Sequence, residues 1–212
     1  ILDREISGLL YPMLCDLTGL RPAWGMLTGI RPVNLMRKFA ERTGSIEQAK
    51  DDFRNIWHVT EEKTQLAAEI LAVQQPILSA APKDSVAVYV SIPFCPTRCK
   101  YCSFVSNSVS QMGRLVDDYY ACLAKEIDLV GNIVQDYGLT VDSIYIGGGT
   151  PSLVPCDKWQ AVFENLELLP RSESCEFTIE ANPDSVSAEK LLLWKRHGVN
   201  RISLGVQSLN DG

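Results

Sequence analysis

Three cysteines, Cys95, Cys99 and Cys102, fall in one short stretch, Val88 to Phe104, which reads VYVSIPFCPTRCKYCSF. The spacing Cys-x-x-x-Cys-x-x-Cys follows a β-branched run, Val86 to Ile92, that ends at Pro93. The run has strand character, so the thiols are delivered into one loop, where three thiolates are expected to converge on one point. A structural zinc site closes a tetrahedron with four Cys or His ligands, usually as two pairs. No second pair exists here: the histidines are His58 and His197, distant in sequence, and Cys122 falls on the apolar face of an expected helix. Three thiolates suit a cubane iron-sulfur cluster better, because its fourth iron is left open for a ligand that is not protein.

The loop needs elements to hold it. Past a linker, Ala80 to Ser85, strand-like runs cover Val86 to Ile92, Val141 to Ile146, Cys175 to Ala181 and Val199 to Val206. Helical periods lie between them: Leu115, Tyr119, Leu123, Ile127, Val130 and Val134; then Trp159, Val162, Phe163 and Leu166; then Leu191 to Trp194, opened by Ser187 and closed by Gly198. Such alternation predicts an α/β fold with a parallel sheet, which closed on itself is a TIM-like barrel. Reacting groups then belong at the carboxyl ends of the strands. There the second strand meets Gly147-Gly148-Gly149-Thr150-Pro151, whose free N–H and C=O groups are expected to hold an amino acid's ammonium and carboxylate. Glu180 ends the third strand beside Asn182-Pro183, facing the barrel mouth, where it can accept hydrogen bonds from ligand hydroxyls or ammonium.

Residues 1–82 read as a small helical domain and 83–212 as the barrel part. Leu9, Leu10, Met13, Leu14 and Leu17 form one stripe, ended by Gly19 and Pro22. In the stretch LTGIRPVNL, Gly29 suits a turn and Pro32 opens a helix whose buried face holds Leu35, Met36 and Phe39. Ser45 with Gln48 is a capping box for a helix to about Trp57, with His58 packing in a helix beside it. Thr60 caps another with Leu66, Ile70 and Val73 inward, until Pro76 kinks or stops it. No cluster of ligands or acids stands out here, and the expected role is a lid or docking domain.

Four motifs, YVSIPFCPTRCKYCSF, IYIGGGTPS, IEANPDS and RISLGVQSLND, resemble the radical S-adenosylmethionine superfamily, and within it the oxygen-independent coproporphyrinogen III oxidase/dehydrogenase family. The resemblance implies a partial (β/α)6 barrel of which about four units are present. It implies a 4Fe-4S cluster on Cys95, Cys99 and Cys102, and S-adenosylmethionine held by Tyr89, Tyr101, Gly148, Gly149, Thr150, Glu180 and Gln207. Arg98 and Lys100 would face a tetrapyrrole's propionates. The implied reaction begins with one electron from the reduced cluster, which splits S-adenosylmethionine. A 5′-deoxyadenosyl radical then takes a hydrogen atom from a propionate of coproporphyrinogen III, and carbon dioxide leaves. An electron donor such as flavodoxin or ferredoxin is the implied partner. Well-characterised oxidases of the family carry histidine at the Ser91 position and a fourth cysteine at the Phe104 position. Those two departures weaken the substrate assignment: YCSF is more similar to members that act as haem-binding chaperones or as less characterised dehydrogenases, and haem-ring opening by a radical methyltransferase relative is a third reading. The stretch LTGIRPVNL favours the dehydrogenase branch.

The chain has 212 residues, 46% of them hydrophobic, with net charge -6, a balance that argues against nucleic acid as the main partner. No apolar run is long enough for a membrane span, and no secretory leader precedes the first helix, so the cytoplasm is the expected compartment. The start at Ile1 and the stop just after a strand suggest a fragment. Seven cysteines, three of them in the loop, suit a reduced compartment; Cys15, Cys122, Cys156 and Cys175 read as buried small hydrophobes.

Overall fold

The computed structural model describes residues 2–28, 31–103, 107–113 and 115–210. Gly29, expected in a turn, and Phe104, the position of the missing fourth cysteine, lie outside them. The chain divides into two compact units, 1–81 and 82–212.

The first unit holds four helices: α1 (Leu2–Thr18), α2 (Pro32–Thr43), α3 (Ile46–Asn55) and α4 (Glu61–Ala80). Pro32 starts α2, and the hydroxyls of Ser45 and Thr60 accept the backbone N–H of Gln48 and Lys63, which satisfies orphan donors of α3 and α4. Met36, Phe39, Ala49, Phe53, Ala67 and Leu71 share one core. Leu35 packs against its margin.

Two expectations fail in this unit, the buried line of α4 and the helical place of His58. The α1 stripe is apolar but exposed, Leu17 by 83%; periodicity defines a face without naming what covers it. On α4, Leu66, Ile70 and Val73 point outward, while Thr64, Ala67, Ala68 and Leu71 are buried. That second line also has helical spacing, and its small side chains let α4 approach α2 and α3 closely. Pro76 does not stop α4, which runs on to Ala80. His58 lies outside any helix, at φ +54°, its ring stacked on Tyr11 at 5.1 Å.

The second unit is α/β. Strands β1 (Ser85–Ile92), β4 (Thr140–Gly148), β5 (Arg171–Ala181) and β6 (Arg201–Leu204) form a parallel sheet in that order. Helices α6 (Leu115–Asp136), α7 (Cys156–Glu167) and α8 (Ala188–Arg196) make the crossovers, as parallel neighbours require. Sequential parallel strands joined this way form the wall of a partial (β/α) barrel. One face of the sheet supplies Val90, Ile92, Ile144, Ile146, Phe177 and Ile179 to a core completed by Leu123, Ile127, Trp159, Phe163 and Trp194 from the helices. Because side chains alternate, the opposite face carries Tyr89, Ser91, Tyr145, Gly147, Glu180 and Ser203. It is this second face that the strand ends turn toward chemistry.

The β1–α6 connection is more structured than a plain loop: β2 (Phe94–Cys95) pairs in parallel with β3 (Asn107–Ser108), followed by the short helix α5 (Val109–Met112). Three cysteine expectations need correction. Cys122 is exposed, one position off the buried line Tyr120, Leu123, Ala124 and Ile127. Cys156 and Cys175 are half-buried, and only Cys15 of the four is fully enclosed. Burial raises the Cys175 thiol above its ordinary range, and burial with the Glu189 charge does the same for Cys156.

Candidate functional site

Cys95 is the anchored member of the cysteine loop. Its strand β2 is held by β3, by the Asn107 N–H donating to the Pro93 carbonyl at 2.9 Å, and by the Thr150 N–H donating to the Phe94 carbonyl at 2.8 Å. Phe94 is buried edge-on against Tyr119 at 5.2 Å, and the Tyr119 hydroxyl donates to the Ser91 carbonyl, which ties α6 to the end of β1. The buried Thr150 hydroxyl donates to Cys95 Sγ at 3.5 Å. Cys99 is exposed and Cys102 half-buried, joined by a turn in which the Cys102 N–H donates to the Cys99 carbonyl. Tyr101 between them is 71% exposed, and a hydrogen bond with Cys99 raises its phenol above the ordinary value. Arg98 and Lys100 are exposed.

The expected convergence of three sulfurs is not present: among the described residues no three His, Cys, Asp or Glu side chains gather closely enough to hold a metal ion.

The glycine run also differs from expectation. Its N–H groups are not free: Gly148 donates to Glu180 Oε2 at 3.2 Å and Gly149 to the Ile92 carbonyl at 2.7 Å. The glycines are needed for close approach instead. Gly148 has φ +113°, and a Cβ on Gly149 would lie 2.5 Å from the Phe94 oxygen and 2.9 Å from Cys95 Sγ. On Gly147 a Cβ would meet Tyr145 Cε1, Glu180 Oε2 and Tyr89 Oη, all within 3.0 Å.

Glu180 stands where the sequence puts it, at the end of β5, half-buried on the open face. Its other oxygen, Oε1, accepts the Tyr145 hydroxyl at 2.7 Å. The Tyr145 ring stacks on Tyr89, centroids 5.8 Å apart and planes 12° from parallel. Tyr89 is 62% exposed, not a buried strand aromatic. Desolvation first, then the Glu180 charge, raise its phenol; for Tyr145 the hydrogen bond to Glu180 is the leading cause of the same direction. Gln207, at φ +68°, is exposed and folds back toward Gly205. No hydrogen bond among the described residues joins it to Glu180. The strand ends thus bring together Cys95, Gly147 to Thr150, Glu180, Tyr89 and Tyr145, and leave Tyr101 and Gln207 at the exposed margin.

The sequence profile of the Radical SAM superfamily matches residues 89–212. The chain belongs to the radical SAM superfamily. It is 34% identical over 216 aligned positions to the oxygen-independent coproporphyrinogen-III oxidase-like protein HemZ of Bacillus subtilis, covering 98% of this chain and 42% of HemZ. It is 38% identical over 128 positions to the heme chaperone HemW of Escherichia coli K12, covering 59% of this chain and 33% of HemW. Among solved structures it superposes on the coproporphyrinogen III oxidase HemN of Escherichia coli, titled a radical SAM enzyme, with TM-score 0.52 and 26% identity over 64% of this chain and 32% of HemN. The chain therefore spans less than half the length of these relatives.

Membership implies a 4Fe-4S cluster and S-adenosylmethionine. The donor set fits in kind: three free thiols on one loop of the radical SAM domain, with Gly149 leaving the space beside Cys95 Sγ that any side chain would fill.

Sequence reading missed a brace beneath this radical SAM site. The fully buried Ser152 hydroxyl accepts the Asn182 N–H at 2.8 Å and shares a hydrogen bond with Ser185. Lys190 Nζ donates to the Ser152 and Ser185 carbonyls. The turn after β4 is thus bound to the turn that follows Glu180. Ser152→Ala leaves the Asn182 N–H without its partner and is expected to cost about 1–3 kcal/mol, read as a lower urea midpoint at unchanged slope.

Proposed function

We propose that the protein to which this chain belongs oxidatively decarboxylates coproporphyrinogen III to protoporphyrinogen IX without oxygen. What carries this reading is the alignment to HemZ, which runs through both units, whereas the alignment to HemW covers 59% of the chain. Cys95, Cys99 and Cys102 would hold the cluster, and Tyr89, Tyr101, Gly148, Gly149, Thr150, Glu180 and Gln207 would hold S-adenosylmethionine. When bound, the two cofactors supply a carbon radical able to remove a hydrogen atom from a substrate propionate.

The chain's own residues do the placing. Glu180, braced through both oxygens, presents a fixed carboxylate to an ammonium or hydroxyl at the mouth. Tyr89 offers an exposed aromatic face beside it. The Phe94 and Tyr119 packing holds Cys95 at the strand ends, beside Gly149 and Thr150. Arg98 and Lys100 are the cations available for propionates. A small electron-transfer protein, flavodoxin or ferredoxin, is the proposed reductant, and a reduced cytoplasmic setting suits seven thiols. Among the described residues no helix is long and apolar enough to cross a membrane.

A second reading, haem binding and delivery, is favoured by the HemW alignment. Anaerobic incubation of the full-length reconstituted protein with S-adenosylmethionine, a reductant and coproporphyrinogen III separates the two. Protoporphyrinogen IX and 5′-deoxyadenosine are expected, and stable haem binding with no turnover would replace the first reading with the second.

A further inference from the structure

We infer that Tyr145, which lies two residues ahead of Gly147, is a positioning residue that sets the orientation of the Glu180 carboxylate for S-adenosylmethionine. This rests on the reading of the strand mouth as the binding site for that molecule.

Tyr145 is paired with Tyr89 of β1 on one side and Thr178 of β5 on the other, so its backbone is held mid-sheet. It shares the open face with Gly147, two residues on, and the absent Cβ there is what lets its ring lie flat. The ring is clamped by the Tyr89 stack at 5.8 Å. Its hydroxyl donates to Glu180 Oε1 at 2.7 Å, while the Gly148 N–H takes Oε2 at 3.2 Å. Ser203, paired with Glu180 from β6, lies beside the same phenol. Two donors from one strand therefore grip both oxygens of a side chain on the next. A glutamate has free side-chain torsions, and fixing them beforehand spares an incoming ligand that ordering. The remaining lone pairs then point in set directions. Without the phenol, one oxygen is loose and the carboxylate has one anchor.

The test is equilibrium binding of S-adenosylmethionine to the full-length protein with its cluster reconstituted anaerobically, alongside iron content and melting temperature. Tyr145→Phe keeps the ring and its stack and removes only the hydroxyl. It is expected to weaken binding about tenfold, as loss of one hydrogen bond to a charged group does, with iron content unchanged and the melting temperature lowered by no more than a few degrees. In uncoupled cleavage of S-adenosylmethionine, KM rises while kcat stays within about twofold. In a Glu180→Gln background the same change adds little, because the two residues act as one unit. Binding by Tyr145→Phe within about twofold of the parent overturns the inference, as does a parallel loss of iron and melting temperature, or a full multiplicative penalty on top of Glu180→Gln. A parent protein that carries its cluster yet binds no S-adenosylmethionine overturns the site reading itself, and the inference with it.

Discussion

Gly149→Ala is expected to leave the protein with at least about tenfold less bound iron after anaerobic reconstitution. The added methyl group would sit 2.5 Å from the Phe94 carbonyl oxygen and 2.9 Å from Cys95 Sγ, distances that real Cβ atoms essentially never show. The backbone cannot retreat cheaply, because the Gly149 and Thr150 N–H groups are bonded to the Ile92 and Phe94 carbonyls. Phe94 cannot retreat either, since it is buried against Tyr119 and Tyr120. What gives way is the short β2–β3 pairing, and Cys95 with it. Overpacking of this kind costs about 1–3 kcal/mol, so a lower urea midpoint should accompany the loss of iron. Gly8→Ala is the control. Nothing lies within 4 Å of its would-be Cβ, in the middle of α1, and it should be neutral or stabilising. Wild-type iron content in Gly149→Ala would show that Cys95 is not held where the structure places it.

Replacing Cys95, Cys99 or Cys102 one at a time by alanine is expected to abolish the iron-sulfur chromophore, because two thiolates from one loop cannot retain a cubane with an already open iron. Cys122→Ala, an exposed thiol on α6, should leave iron and absorbance unchanged. The measurement is iron, sulfide and zinc per chain after reconstitution, for the parent and all four variants. A single loop substitution that kept full iron and sulfide, or a parent that took up zinc in place of iron, would sink the assignment. Both predictions concern Cys95, yet they separate two causes, since the alanine at 149 leaves every sulfur in the chain.

Much of this arrangement was legible in the residues. The strand-like runs Val86 to Ile92, Val141 to Ile146, Cys175 to Ala181 and Val199 to Val206 located the four strands of the sheet, the last overrunning its end at Leu204, and Ser45, Thr60 and Ser187 located three helix starts, because caps and alternation are local and chain-borne. The misses share a different character. Which stripe of α4 would be buried depended on how near a neighbouring helix could come, and Leu66, Ile70 and Val73 match a helical period as well as Thr64, Ala67 and Leu71 do. That the glycine N–H groups would be taken by Ile92 and Glu180 depended on the strand beside them. Tyr145 left one clue, its place two residues before Gly147 on the same face of a strand. The register that sets it against Tyr89 was not readable from either tyrosine alone. Lys190 and Ser152 meet across 38 positions of sequence, beyond any local pattern.

The close seating of α4 inverts the usual map of mutational tolerance along that helix. Its bulky outward side chains, Val73 among them, are the ones that can be exchanged for glutamate or lysine with little effect. Its small inward ones, Ala67 and Ala68, have no room to grow, and a single added methylene there must push two helices apart. Sequence variants of this unit should therefore drift freely at the leucine- and valine-sized positions and stay frozen at the alanines.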